Sequence, residues 1–204
     1  MAARALPTSS SAVAAGTPPR ALTPETVVST ALAVADREGV SAVTLARVAR
    51  ELGCHVTSLY THVDSIDDLH TRMLLAAQTA LAQQLWEAAL GRSGADALRA
   101  LATIYRGYGE AHPAQIRLLF AGATTTDPRV VEGAQYLAEP IRATLRGFGL
   151  DDEQVRHAHR AFSAAIRGFL VAEAQGAYPI DADVTFDQIV DLFVLALEGG
   201  NWPR

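Results

Sequence analysis

Helix starts and stops punctuate this chain from residue 23 onward, and that punctuation restricts it to one fold class. Thr23-Pro24-Glu25 supplies a capping side chain, a proline suited to the first helical position and an acid facing the positive end of the helix dipole. Val27, Val28, Ala31, Leu32, Val34 and Ala35 then form an apolar stripe that ends at Gly39. Thr44 caps a short second helix, Leu45 to Leu52, stopped by Gly53, and a third covers Val56 to His62. Ser65-Ile66-Asp67-Asp68 has the spacing of a capping box, with Asp in the usual Glu place. It opens a long helix through Met73, Leu74, Ala77, Leu81 and Leu85 to about Ala89. Gly91 and Gly94 mark a joint, and further helices are predicted at about 95–111, 114–122, 128–148, 152–175 and 185–198. Pro140 falls inside one of them and is expected to kink it. Runs of β-branched residues between turn pairs are absent, and so are Asn-Gly and Asp-Gly hairpin signals. The expected fold is all-α with about nine helices: three short ones at the N-terminus, then a larger helical domain. Residues 1–22, rich in Ala, Ser, Thr and Pro, read as a disordered tail.

Composition excludes several classes of function. Half of the 204 residues are hydrophobic, enough for a sizeable core. The single cysteine, Cys54, rules out an intramolecular disulfide and a cysteine-rich zinc site, and its spacing reads as a packed core thiol. No stretch reaches the ~18 apolar residues of a membrane span. Ala12-Val13-Ala14 resembles a signal-peptide cleavage site, but Pro7 to Ser11 break the apolar run that a signal needs, so the expected location is the cytoplasm. His157 and His159 are two apart and point in different directions on a helix, which defeats a shared metal. No nucleophile–base–orienter set, phosphate loop or carboxylate pair stands at a recognisable spacing, and Asp151-Asp152-Glu153 reads as a helix start. An enzyme, a metal and a cofactor are therefore not expected.

Thr44 to Val63 is the compact unit that carries function. Ala49 lets the third helix cross closely, Gly53 allows a sharp turn, and Val48, Leu52, Cys54 and Leu59 are spaced to form the core between the two helices. This is a helix-turn-helix, whose second helix reads a major groove from near its N-terminus. Helical phase puts Thr57, Ser58, Thr61 and His55 on the face away from Leu59, with side chains suited to base edges and phosphates. On these signals alone, a plain helical hairpin with a polar outer face fits equally well. The formal charge of −5 argues against non-specific coating of nucleic acid, and all 17 cations are arginine. Residues 1–63 hold five Arg against four acids, a net of +1, and residues 64–204 a net of −6. The near-neutral head should bind DNA only modestly without sequence recognition. Arg20 reads either as a minor-groove contact or as a solvated tail residue.

From Thr23 to about Met73 the chain resembles the DNA-binding domain of the TetR family of transcriptional repressors. The resemblance rests on Gly39, Val43-Thr44-Leu45, Val48-Ala49, Leu52-Gly53, Leu59-Tyr60, His62-Val63 and Asp68-Leu69. It implies phosphate contacts from Thr44, Tyr60 and Thr61 and base contacts from Thr57 and Ser58. With His55 and His62 these make the candidate DNA-contacting set. His55 stands where the family often has Ser or Thr, and Ile66 where it usually has a lysine on phosphate. The loss of that lysine should flatten the salt dependence by roughly one unit of slope. The resemblance divides the chain into a DNA-binding domain at 23–68 and a ligand-binding and dimerisation domain at 69–204.

The second part also resembles a subgroup of TetR C-terminal domains often called WHG, through Gly94 to Leu98, Tyr105 to Pro113, Gly168-Phe169-Leu170, Glu173, Gly176 and Phe186. The subgroup's His-Gly pair reads Arg167-Gly168 here, and its tryptophan has no counterpart. Tyr105, Tyr108, Phe120 and Tyr136, with His112, Arg117 and Gln135, are candidates to line a ligand pocket; ordinary core packing is the alternative for each. Phe162, Ile166 and Phe169 on one helix and Phe186, Ile189, Phe193 and Leu197 on the last form apolar stripes expected to build a four-helix dimer interface; filling the subunit's own core is the alternative. The implied partners are a double-stranded DNA operator, a small-molecule effector and a second copy of the chain, and no membrane. The expected function is a ligand-released repressor. The alternative is a helical ligand- or partner-binding protein with a weakened DNA-reading head.

Overall fold

The computed structural model describes residues 22–122, 125–178, 180–200 and 202. The expected tail, Arg20 included, lies outside them apart from Leu22. The described residues form nine α-helices and no strand: α1 (Pro24–Glu38), α2 (Leu45–Leu52), α3 (Val56–Leu59), α4 (Ile66–Ala89), α5 (Gly94–Ala111), α6 (Pro113–Ala121), α7 (Pro128–Arg146), α8 (Asp152–Ala174) and α9 (Ala182–Glu198). A single 3-10 turn, Val40–Ala42, links α1 to α2. None of these helices is long and apolar enough to cross a membrane.

Side-chain caps fix the helix starts. Thr23 accepts the Thr26 N–H at 3.2 Å while Thr26 Oγ1 accepts the Thr23 N–H at 2.8 Å, a reciprocal box. Asp151 and Gln154 make the same box on α8. At α4 the expected box closes differently. Ser65 accepts the Asp68 N–H, but the Asp68 carboxylate takes the N–H of Asp64, one residue further back. The shorter Asp side chain reaches a different donor from the one a Glu would. α3 is also shorter than expected, ending at Leu59 instead of His62. A turn continues it, with the His62 and Val63 N–H groups both bonded to the Leu59 carbonyl.

Two hydrophobic clusters share α4. The first packs α1, α2 and α3 around Val27, Val34, Val48, Leu59, Leu69 and Met73, all fully buried. Leu52 and Cys54, expected in this core, are half-buried at its margin, because Gly53 turns the chain outward between them. Ile66 packs against the same cluster, an apolar use of a position where a lysine would stay in solvent. The second cluster begins at Leu74 and gathers α4, α5, α7, α8 and α9. α4 packs most extensively on α7 and α5. The boundary expected at 68 therefore falls inside one continuous helix that serves both cores. Ala114 of α6 is buried in the first cluster, so the larger body also reaches back to the head.

Most of the apolar stripes of α8 and α9 are buried within the subunit. Phe162, Ile166, Phe169, Phe186 and Leu197 are 3 % exposed or less, and Ile189 and Phe193 pack against them. They fill the subunit's own core; helical period shows that a stripe is buried but not which chain buries it. Arg106 clamps this region from α5. It pairs with Glu173 at 2.6 Å and Asp183 at 2.8 Å, and its guanidinium lies 5.3 Å from the Phe169 ring and 5.0 Å from the Phe186 ring. The apolar side chains that α8 and α9 leave in solvent are Val171, Val184, Leu192 and Leu195.

Candidate nucleic-acid interface and ligand cavity

The turn between α2 and α3 depends on Gly53, whose φ of +67° is left-handed and disfavoured for any side chain with a Cβ. Its N–H returns to the Ala49 and Arg50 carbonyls, and the Cys54 N–H also reaches the Ala49 carbonyl at 3.0 Å. Ala49 is buried where α3 crosses, and Leu59 seals the crossing from the other side. The outer face then presents His55, Thr57, Tyr60 and Thr61 to solvent, with Ser58 and His62 half-buried beside them. Tyr60 is 54 % exposed and makes no hydrogen bond among the described residues.

The hydroxyls on this face are in different states. Thr44 Oγ1 accepts the Arg47 N–H at 3.0 Å, which orients the side chain and leaves its own O–H to donate. Thr61 Oγ1 donates to the Ser58 carbonyl at 2.7 Å, so a contact to phosphate requires it to leave that partner. His62 sits near Glu25 of α1, whose carboxyl is held below its usual range chiefly by backbone and Thr23 hydrogen bonds.

The cations are sorted by pairing. Arg47 holds Glu38 through two nitrogens and Glu51 at 2.6 Å, and Arg37 adds a 2.9 Å bond to Glu51. Hydrogen bonds from Arg47 hold both carboxyls below their usual range. This network fastens α2 to the end of α1 and occupies both arginines. Arg50, exposed on α2, has no ion-pair partner among the described residues. It is absent from the candidates read from the sequence. The Arg47–Glu51 spacing of four, which spends Arg47 internally, is the signal that singles it out.

The seven candidate ligand residues do not converge. Tyr105 lines a partly open cavity of about 150 Å³ among α4–α8, together with Gln78, Leu119, Ile141, His159 and Arg167. Arg117 and Phe120 line a separate cleft of about 440 Å³ between α5, α6 and α8. The Arg167 guanidinium stacks 4.7 Å above the Phe120 ring, at the border of the two spaces. Gln135 and Tyr136 are exposed on the far side of α7, because Val130, Ala138 and Ile141 set that helix's inward phase. Sequence reasoning missed Gln78, His159 and Arg167, which come from helices that only tertiary packing brings together. His157 and His159 do diverge: His157 lies 3.8 Å from Glu153, and His159 meets Ser163 Oγ at 3.3 Å. Burial, then Arg142, Arg160 and Arg167, lower the His159 pKa to about 4, so it is neutral at pH 7.

Tyr108 and His112 belong to the joint between body and head. The Tyr108 hydroxyl donates to Gln115 Oε1 at 2.6 Å, Gln115 Nε2 donates to Asp36 Oδ2 at 2.7 Å, and His112 Nδ1 stands 3.0 Å from the same oxygen. Burial, followed by the Asp36 charge, pushes the Tyr108 pKa above its ordinary value. A polar relay thus runs from α5 through α6 to α1, the helix that backs the helix-turn-helix.

A helix-turn-helix on a capped three-helix head, joined to an all-α body that holds a cavity, defines a helix-turn-helix transcriptional regulator. Residues 98–193 match the family model described as Tetracyclin repressor-like, C-terminal domain. The chain is 33 % identical over 177 residues to the uncharacterized HTH-type transcriptional regulator Rv0681 of Mycobacterium tuberculosis, covering 84 % of this chain and 80 % of that protein. It is 23 % identical over 163 residues to the HTH-type regulator YobS of Bacillus subtilis, covering 80 % and 85 %. Among solved structures, the fold is similar to Streptomyces coelicolor ActR in complex with actinorhodin, with a TM-score of 0.68 and 20 % identity over 90 % of this chain and all of that one. It is also similar to a protein of unknown function from Rhodococcus sp. RHA1, with a TM-score of 0.77 and 18 % identity over 88 % and 97 %. The chain belongs to the TetR family of transcriptional regulators, which are DNA-binding proteins.

Proposed function

We propose that this regulator is a repressor that binds a palindromic operator as a homodimer and leaves it when a small molecule occupies the body. Each subunit places α3 in a major groove, with Thr57 and Ser58 toward base edges and Thr44, Tyr60, Thr61 and Arg50 toward phosphates. His55 and His62 flank this contact. Residues 23–68 serve as the reader, and the remainder as the sensor and dimerisation unit. Leu192 and Leu195 on α9, 66 % and 67 % exposed, are the natural seat of the second copy. The ligand acts by favouring a body conformation whose two heads no longer match the half-site spacing, so it must bind the DNA-free state more tightly.

The observation that carries this reading is the Asp36–Gln115–Tyr108 relay, which ties the helix behind the reader to the helices around the cavities. ActR, a fold neighbour, has been crystallised with actinorhodin and with (S)-DNPA. A second reading, a binding protein with a weakened head, draws support from the internal pairing of Arg37 and Arg47. Fluorescence anisotropy on duplexes from the gene's own upstream region separates the two. The repressor binds one sequence tightly, and Tyr60→Phe with Thr61→Ala weakens binding about evenly across sequences. Unchanged affinity in that double variant refutes α3 as the reader.

A further inference from the structure

Two polar atoms on the wall of the α4–α8 cavity are buried without a hydrogen-bond partner: Gln78 Oε1 and Arg167 Nε. Arg142 Nε on α7, whose charge acts on His159, is also buried without a partner. Gln78 donates its Nε2 to the Val130 carbonyl, and its oxygen rests against Gly133, where a Cβ would collide with it. Arg167 has no carboxylate within ion-pair range among the described residues, and the residues lining the cavity include no acid. A guanidinium Nε buried without a partner is costly unless something pairs it. The Phe120 ring beneath it offsets only part of that cost.

The surrounding charge is mainly positive. His159 is faced by Arg142 of α7 and by Arg160 and Arg167 of α8, with Glu139 of α7 as the opposing charge. Glu139 is itself held by Arg146 at 2.7 Å. Burial raises the Tyr105 pKa while Arg167 pulls it down, which places that arginine's field over the Tyr105 hydroxyl. Tyr105 makes no hydrogen bond among the described residues. Apart from Ser163, which meets His159, the rest of the wall is apolar and includes Leu119, Leu137 and Ile141. A cavity of about 150 Å³ is the size that holds one benzene ring.

We propose that this cavity binds a single-ring organic acid, its carboxylate paired with Arg167 and its ring against Leu119, Leu137 and Ile141. The Tyr105 hydroxyl and neutral His159 are placed to donate to the second carboxylate oxygen. The proposal rests on reading the body as the effector-binding part, and it names the chemical class of that effector.

The test uses the full chain with benzoate, its neutral match benzamide, its cationic match benzylamine, and sodium chloride as an inorganic-anion control. Binding is followed by calorimetry and by the His159 ring signals in NMR, which locate the ligand without altering the core. Benzoate is expected to bind and shift the His159 signals. Arg167→Gln should weaken benzoate on the order of tenfold to a hundredfold and leave benzamide unchanged. Equal binding of benzamide or benzylamine, an equal response to chloride, benzoate binding unaffected in Arg167→Gln, or no response at His159 to benzoate would each overturn the proposal. The effector reading is judged separately, by anisotropy on duplex selected by the protein from a random pool. A neutral probe that moves His159 and lowers DNA affinity defeats the acid and keeps the effector role. Benzoate that binds at Arg167 without changing DNA affinity keeps the acid and defeats the effector role.

Discussion

Replacing Tyr108 by Phe removes one oxygen from the relay between body and head and leaves the ring in place. Tyr108 is 3 % exposed, and its partner Gln115 is 7 % exposed. The lost bond is 2.6 Å long, and it leaves Gln115 Oε1 buried with no donor while Nε2 stays bound to Asp36. No cavity opens, because the ring volume is retained. The cost is thus that of a buried acceptor left unsatisfied, about 2 kcal/mol. For a chain of this size that is a fall in Tm of roughly 4–8 °C. Differential scanning calorimetry reads this directly. Asp36→Asn, made alone and with Tyr108→Phe, tests whether the relay acts as a unit. A coupled relay gives an interaction of about 1 kcal/mol between two residues that share Gln115. A Tm within about 1 °C of wild type for Tyr108→Phe, or double-variant effects additive within roughly 0.5 kcal/mol, would refute the relay.

Leu192→Glu with Leu195→Glu should convert the proposed dimer to a monomer of unchanged helicity, read by light scattering after gel filtration; a dimer that persists removes α9 from the interface. Arg50→Ala should lower the slope of log affinity against log salt by roughly one unit on any duplex, and an unchanged slope means that Arg50 touches no phosphate. His159 supplies a pH dependence. The unfolded chain takes up the proton near pH 6.5 and the native state only at about 4, so its contribution to stability is complete above pH 6.5 and lost as the pH falls toward 4. The limit is about 3 kcal/mol, reduced by partial solvent screening. Urea unfolding at about pH 7 and pH 5 should show a larger loss for wild type than for His159→Gln, and equal losses refute the shift.

Local chemistry is legible in the sequence; tertiary chemistry is not. Thr23, Thr44, Ser65 and Asp151 announce helix starts because a cap needs only residues within one turn. The turn at Gly53 is legible for the same reason. Helix α3 is harder, since no cap or glycine closes it and a four-residue helix blends into the turn after Leu59. The stripes of Phe162 and Phe186 are legible as apolar faces but not as core of the same subunit, because period carries no information about which chain covers a face. Leu192 and Leu195 are told apart from Phe193 and Val194 only once α8 has taken one side of α9. The cavity is the least legible part. Gln78, Tyr105, His159 and Arg167 are dispersed over three helices, and Gln135 and Tyr136 suit a pocket by residue type while the phase of α7 turns them outward. Asp36 and Gln115 lie 79 positions apart, so their bond belongs to the fold alone.

The central claim is that α3 reads a specific, two-fold symmetric DNA sequence. Selection from a random duplex pool by the full chain at low salt tests it whatever the operator sequence is. Enrichment of one palindromic site, lost when Thr57→Ala and Ser58→Ala are combined, is the predicted result. A folded protein that enriches no sequence over the starting pool would contradict it.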